Sequence, residues 1–253
     1  MSVKGFLFAG VAAIFVVLTP SHGWAQQPPP APPGPPKGLS GSAGFGLSLT
    51  QGNSDTLNLS ATVDSIYDPK TRNVMKWNLL YLRGKQNSVL SVNRVSAMFR
   101  DENALTERAF VYGEVDYLHD TFKGIDSLFA PTVGIGYKLV NTMRSQFAVD
   151  AGVGAIIEQD TGSTSRASGA ITLGEKLVQQ LTDTTTLKEM ANALLKTSDF
   201  NDGLYTFQLG IAAKISTRLQ LSLDVIDSYK NKPFNPALKK NDVALVTSIV
   251  AKY

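Results

Sequence analysis

The chain has 253 residues, a formal net charge of +3, 43% hydrophobic and 18% charged residues, 21 glycines, 12 prolines and no cysteine. Without cysteine there is no disulfide-stapled module, zinc ribbon, iron–sulfur centre, thiol nucleophile or lipidated N-terminal cysteine, and with only His22 and His119 most metalloenzyme and triad chemistries are disfavoured. The length suits one large domain, a single all-β barrel included.

In chain order, residues 1–25 have a basic start at Lys4, an apolar run over 6–18, a break at Pro20 and Gly23-Trp24-Ala25 before Gln26. They read as a cleaved secretory signal peptide, since the apolar run is too short to span a bilayer as a helix; the alternative is an uncleaved anchor. Residues 26–39 read as a proline-rich periplasmic linker, because 28–36 alone hold seven of the twelve prolines and must be extended polyproline II. A spacer fits it better than a ligand for an aromatic groove.

From residue 40 to 253 the dominant period is two. Leu57, Leu59, Ala61 and Val63 alternate with Asn58, Ser60, Thr62 and Asp64, which puts each set on one face of a strand. The pattern recurs in Met75–Tyr81, Val111–Tyr117, Phe129–Leu139, Phe147–Ile157, Leu219–Val225 and Val243–Tyr253. About twelve segments follow, near 41–51, 56–67, 74–84, 89–100, 107–119, 128–140, 145–158, 165–178, 185–197, 203–215, 218–229 and 242–253, with ten or fourteen as alternatives. Each is about ten residues or more, twice a usual globular strand and right for a tilted strand crossing a bilayer. The expected fold is an all-β, antiparallel, up-and-down transmembrane barrel over 40–253. With the first strand running outward, the connections 68–73, 101–106, 141–144, 182–184 and 216–217 become periplasmic turns. Those at 52–55, 85–88, 120–127, 159–164, 198–202 and 230–241 become external loops, and an even strand number leaves both mature termini in the periplasm.

An ionised side chain facing lipid at midplane costs about 2–4 kcal/mol, so the nearly charge-free rows are placed outward. Asp64, Lys76, Arg94, Arg108, Glu114, Asp116, Lys138, Asp150, Arg166 and Asp224 then line the lumen. Tyr67, Trp77, Tyr81, Tyr137, Tyr229 and Tyr253 fall toward strand ends, where aromatic girdles belong. Two places resist: Glu175 falls on an outward row, and Leu187, Met190, Ala191, Leu194 and Leu195 also fit a helical stripe, although closing the barrel needs 185–197 as a strand.

The run Gly44-Phe45-Gly46-Leu47-Ser48-Leu49-Thr50-Gln51-Gly52-Asn53-Ser54-Asp55-Thr56 resembles the opening signature of the domain of unknown function 481 family, the salt-induced outer-membrane proteins. Gly134-Ile135-Gly136-Tyr137-Lys138-Leu139, Gly152-Val153-Gly154, Asn231-Lys232-Pro233 and Asn241-Asp242 fit the same family, over roughly 40–253. Its most specific element, Gly52, Asn53, Ser54, Asp55 and Thr56, is physically an Asn/Gly/Asp hairpin tip. Val243 stands where the family usually has threonine. The resemblance implies an outer-membrane barrel of no established activity, with no catalytic residues to carry over.

No catalytic, cofactor or metal constellation emerges from the residues themselves. His119-Asp120 lies at an expected outer rim, but adjacent strand residues point to opposite faces, and no serine sits in a nucleophile elbow. A rim-active hydrolase using His119 is therefore the minor alternative. The Gly-x-Gly pairs lie inside strands, where they would admit bulges or bulky neighbours across the lumen rather than phosphates. A structural barrel or passive small-solute pore is the leading expectation, and a surface-binding or adhesion barrel the other alternative. Expected partners are outer-membrane lipid, the barrel-assembly machinery through the last strand ending at Tyr253, and lipopolysaccharide at the Lys230, Lys232, Lys239 and Lys240 loop, which could equally be a solvated charged loop. A monomer is expected, and nucleic acid is not implied.

Overall fold

The computed structural model describes residues 38–50, 56–87, 89–121 and 123–253. They form twelve strands: β1 (Gly38–Thr50), β2 (Thr56–Asp68), β3 (Asn73–Gln86), β4 (Val89–Ala104), β5 (Ala109–Asp120), β6 (Ile125–Asn141), β7 (Ser145–Asp160), β8 (Arg166–Gln180), β9 (Thr185–Lys196), β10 (Asp199–Lys214), β11 (Leu219–Lys230) and β12 (Asn241–Lys252). Each pairs antiparallel with its chain neighbours, and β1 pairs with β12 to close the barrel.

The strand count matches the periodicity, and β9 settles the ambiguous 185–197 segment: its main chain pairs with both β8 and β10. A helix there would leave two lipid-exposed sheet edges, which no bilayer tolerates. Several boundaries differ from expectation. The barrel begins at Gly38 rather than 40. β4 continues through Asp101–Ala104, so the next turn falls at 105–108, and β10 starts at Asp199. These extensions follow from pairing, since Glu102 faces Val74 and Tyr112, and a strand persists while both neighbours supply partners. The signal peptide and all but the last two residues of the linker lie outside the described residues, as does the turn Gly52, Asn53, Ser54 and Asp55; Thr56 opens β2.

Connections at one end, 69–72, 105–108, 142–144, 181–184 and 215–218, are uniformly tight; this turn end also holds the start of β1 and the end of β12. The other end carries the remaining connections, the longest being 231–240, and is called the loop end.

The wall is inside-out relative to a soluble domain. Phe45, Leu47, Leu79, Val133, Ile135, Val153, Leu221, Leu223, Leu245 and Ile249 all face outward and are exposed. Only a hydrocarbon surround makes such a surface stable. Aromatic pairs reinforce it, with ring centroids 5.7 Å apart for Trp77–Phe99 and 6.0 Å for Tyr205–Tyr229.

Inside, the two halves of the lumen differ. The loop half is packed with apolar side chains. One cluster joins Leu118, Ile125, Leu128, Ala130, Ile156 and Ala170 from β5 to β8; the other joins Leu82, Ile226 and Val246 from β3, β11 and β12. At the waist, Tyr112 and Phe110 lie on glycines: a Cβ at Gly134 or Gly152 would fall 2.6 Å from the Tyr112 phenol oxygen, and one at Gly136 would enter the Phe110 ring. Gly136→Ala is therefore expected to cost about 1–3 kcal/mol by overpacking, read as an earlier thermal transition on gel-shift electrophoresis.

Closure at β1–β12 is brief. Register pairs run only from Ser42↔Lys252 to Phe45↔Ile249, whereas β1–β2 pairs from Gly38↔Asp68 to Thr50↔Thr56. Gly41 N donates to Tyr253 O at 3.2 Å and Tyr253 N to Gly41 O at 3.1 Å. The Tyr253 phenol then crosses the seam to within 2.5 Å of Ser65 Oγ on β2. Tyr253→Ala is expected to remove this staple and about 1–2 kcal/mol, lowering the unfolding midpoint by about 2–8 °C. Tyr253→Phe should lose only the hydrogen-bond share, and an unchanged midpoint in Tyr253→Ala would show that the staple contributes nothing.

Candidate functional site: the lumen and its loop-end crossbar

The even-numbered residues of β2–β5 and β7–β12 point inward, so the strand period collects polar side chains in one enclosed space. On the β3–β7 wall Arg100 is the hub. Its Nε donates to Glu102 at 2.9 Å, Nη1 to Glu114 at 2.8 Å and Nη2 to Asp150 at 2.9 Å, joining β4, β5 and β7. Lys76 pairs with Glu102 at 2.6 Å from β3, and the guanidinium lies 3.6 Å from the Tyr112 ring centroid. One planar fork satisfies three carboxylates, which a point charge cannot do.

Toward the turn end the lumen is basic. Lys176 on β8, Lys188 on β9, Lys214 on β10 and Lys252 on β12 all point inward and are classed among the exposed residues. The charges of Lys76 and Lys188, with those of Asp64 and Glu102, all act on Lys176.

At the loop end the mouth is bridged. Lys123, between β5 and β6, reaches over to β11 and β12, on the opposite side of the ring. This crossbar residue, 0% exposed, donates from Nζ to Ser228 O at 2.8 Å and Lys240 O at 2.6 Å, and pairs with Asp242 at 2.9 Å. Backbone bonds from Thr121 N to Asn93 O at 3.2 Å and from Thr161 N to Gly124 O at 2.9 Å flank it. Gly124 permits the turn, with φ of 69°.

Beside the crossbar, Glu158 is 2% exposed and ion-paired with both Lys196 and Lys230; Lys196 also pairs with Asp202 at 2.6 Å, and Arg166 with Asp160. These groups, with Phe234 above and Ile156 below, line a cavity of about 370 Å³. In the adjoining loop Lys232 donates to Asp199 Oδ2 at 2.7 Å, a hydrogen bond that raises the lysine and lowers the carboxyl.

Of the residues expected to line the lumen, the structure brings Lys76, Glu114, Asp116 and Asp150 together around Arg100, with Asp116 beside Glu114. Asp64 accepts from Asn78 Nδ2 at 2.7 Å, and Asp224 from Ser222 Oγ at 2.5 Å. Lys138 faces the turn end, where its charge acts on Asp68. Arg94 lies below the crossbar, within the field of Asp120 and Asp242, and Arg166 is at the rim cavity. Arg108 is a correction: it is exposed in the 105–108 turn, because β5 begins only at Ala109. Lys230 differs as well. It is 2% exposed and turned inward to Glu158, not presented to a lipid surface.

Sequence reasoning missed Arg100, Glu102, Lys123, Glu158, Lys176, Lys188, Lys196, Lys214 and Lys252. Parity carried along β4 from Arg94 reaches Arg100 and Glu102, and the same count on β8 and β9 reaches Lys176 and Lys188. No periodic signal marks Lys123, which sits in a turn. His119 has Nδ1 2.7 Å from Asp126 O and Nε2 3.4 Å from Asn93 Nδ2, a carbonyl and an amide rather than a hydroxyl.

A family model described as Protein of unknown function, DUF481, matches residues 43–253. No curated protein matches the chain. Among solved structures, a NanC porin is 10% identical at a TM-score of 0.50, covering 85% of this chain and 99% of its own. An outer-membrane channel from Pseudomonas putida F1 is 14% identical at 0.48, covering 89% and 99%. The translocator domain of the autotransporter NalP from Neisseria meningitidis is 14% identical at 0.46, covering 87% and 89%. The likeness to the NanC porin is one of fold: a closed outer-membrane β-barrel.

Proposed function

The chain thus belongs to the DUF481 family and is an outer-membrane β-barrel, and we propose that it is a passive pore for small polar solutes, held shut at its loop end by the Lys123 crossbar. In this reading the turn end faces the periplasm and the loops face outward. One chain makes the complete pore, and no catalytic step is involved. The observation that carries the reading is the pairing of a charged turn half, where Lys176 is inward yet exposed, with a loop mouth bridged by the Lys123 side chain. A purely structural barrel could fill its lumen along the whole length with packed side chains.

Refolded full-length protein in planar bilayers is the test. Small, infrequent conductance steps are expected from the wild type, and large frequent ones when the crossbar is loosened. Silence from both overturns the pore. His119→Ala should leave both the conductance and any background hydrolysis of lipid or protein substrates unchanged; loss of a hydrolytic activity in that variant would favour the enzyme alternative.

A further inference from the structure

We propose that the turn half of the lumen is a binding vestibule for small multivalent anions, of the phosphate or polycarboxylate class. The proposal rests on the pore reading for its access route and goes further by naming the solute class.

Four inward lysines share one wall near the turn end, while Lys76 on β3 and Lys138 on β6 lie on the other. Lys176, Lys188, Lys214 and Lys252 sit on β8, β9, β10 and β12, each within the last five strand residues at the turn end. Most inward carboxylates lie on the other wall, Asp64 on β2, Glu102 on β4 and Glu114 and Asp116 on β5, with Asp224 on β11 the exception, and most are already engaged. Glu102 is held by Lys76 and Arg100, Glu114 and Asp150 by Arg100, and Asp64 by Asn78.

The lysine wall lacks such compensation. Among the described residues, no carboxylate lies within ion-pairing distance of Lys176, Lys188 or Lys252, and Lys214 reaches only the Asp183 carbonyl at 2.8 Å. Lys252 feels the like charges of Lys188 and Lys214. Four turns add Arg72, Arg108, Arg144 and Arg218 at the same mouth, and among the described residues only Arg144 of these is within ion-pairing distance of a carboxylate, Asp183 at 3.8 Å. Clustered like charges repel one another, and the low-dielectric wall focuses their field into the lumen, so the arrangement is stabilised by an anion that spans several ammonium groups. A monovalent ion would bridge too few of them. A compact polyanion matches exposed, flexible lysine side chains on adjacent strands.

Two measurements on the folded full-length protein in detergent or bilayers separate this inference from the pore reading. Calorimetric titration with inorganic tripolyphosphate is expected to show saturable binding that weakens about tenfold or more in Lys176→Gln/Lys188→Gln, and weakens further with added salt. Salt-gradient bilayer recordings are expected to show chloride preferred over potassium, with the preference lost in the same double variant. Gel-shift mobility of the variant confirms that it is folded, and Lys239→Gln, in the exposed 231–240 loop at the opposite mouth, serves as the control. Tripolyphosphate binding without any conductance sinks the pore but leaves the vestibule standing. Conductance without anion preference and without tripolyphosphate binding overturns the vestibule and leaves the pore.

Discussion

Lys123→Ala is expected to raise mean conductance by an order of magnitude or more, with little change in the thermal midpoint of the barrel. Lys123 contributes no strand hydrogen bond, so removing it leaves the wall intact. What it does contribute is a fully buried ammonium with two backbone carbonyls and Asp242 as partners. Losing that donor set costs the closed loop about 3 kcal/mol, a shift of roughly a hundredfold in the balance between bridged and unbridged mouth. The apolar clusters beneath still narrow the passage, so the full hundredfold should not appear as conductance. Lys123→Arg preserves the charge but not the room, and should give an intermediate, noisy channel. Conductance and gating identical to wild type in Lys123→Ala would mean that the crossbar does not close the mouth.

Arg100→Ala is expected to do the reverse, weakening the wall more than the gate. The substitution leaves Glu102, Glu114, Asp116 and Asp150 in one enclosed region with Lys76 ion-paired to Glu102 alone. Breaking a largely enclosed network costs about 3 kcal/mol, or a fall of about 6–12 °C in the thermal midpoint for a chain of this size. The Tyr112 ring also loses the guanidinium stacked on it. Arg100→Lys should recover less than half of the loss, because one ammonium cannot serve three carboxylates. A midpoint within 2 °C of wild type, on the order of 0.5–1 kcal/mol, would show that lumen water already screens these charges.

Much of the fold was legible because a lipid-facing wall forces strict alternation and long strands. Leu57 to Asp64 alone places one face in hydrocarbon and the other inside, and repeating the pattern sets the number of strands. Even β9 yields to topology: its residues permit a helical stripe, and only the requirement to pair Ala191 with Glu175 and Phe207 decides for a strand. The same pairing keeps Glu175 outward next to Glu189, a departure from the charge-free rule.

The site was less legible. Parity assigns a side chain to the inside but not to a partner, so Glu114 and Asp150 were readable as lumen residues while their meeting at Arg100 was not. That contact depends on barrel diameter, on how far β4 extends, and on the glycines that let Tyr112 lie flat. Arg108 failed for a related reason: near a strand end, one residue of extension decides between lumen and turn. Lys123 was the least accessible of all, because a crossbar is set by three-dimensional reach over the mouth, which no local period records.

The absence of cysteine makes the central claim directly measurable, since a single introduced thiol reports on its own surroundings. In Lys188→Cys, a charged, membrane-impermeant thiosulfonate is expected to react rapidly when supplied from the periplasmic side and slowly when supplied from outside the cell. Adding Lys123→Ala should abolish that difference. Rapid labelling from outside with the crossbar intact, or no labelling from either side, would contradict a water-filled lumen that opens toward the turns and is closed at the loops.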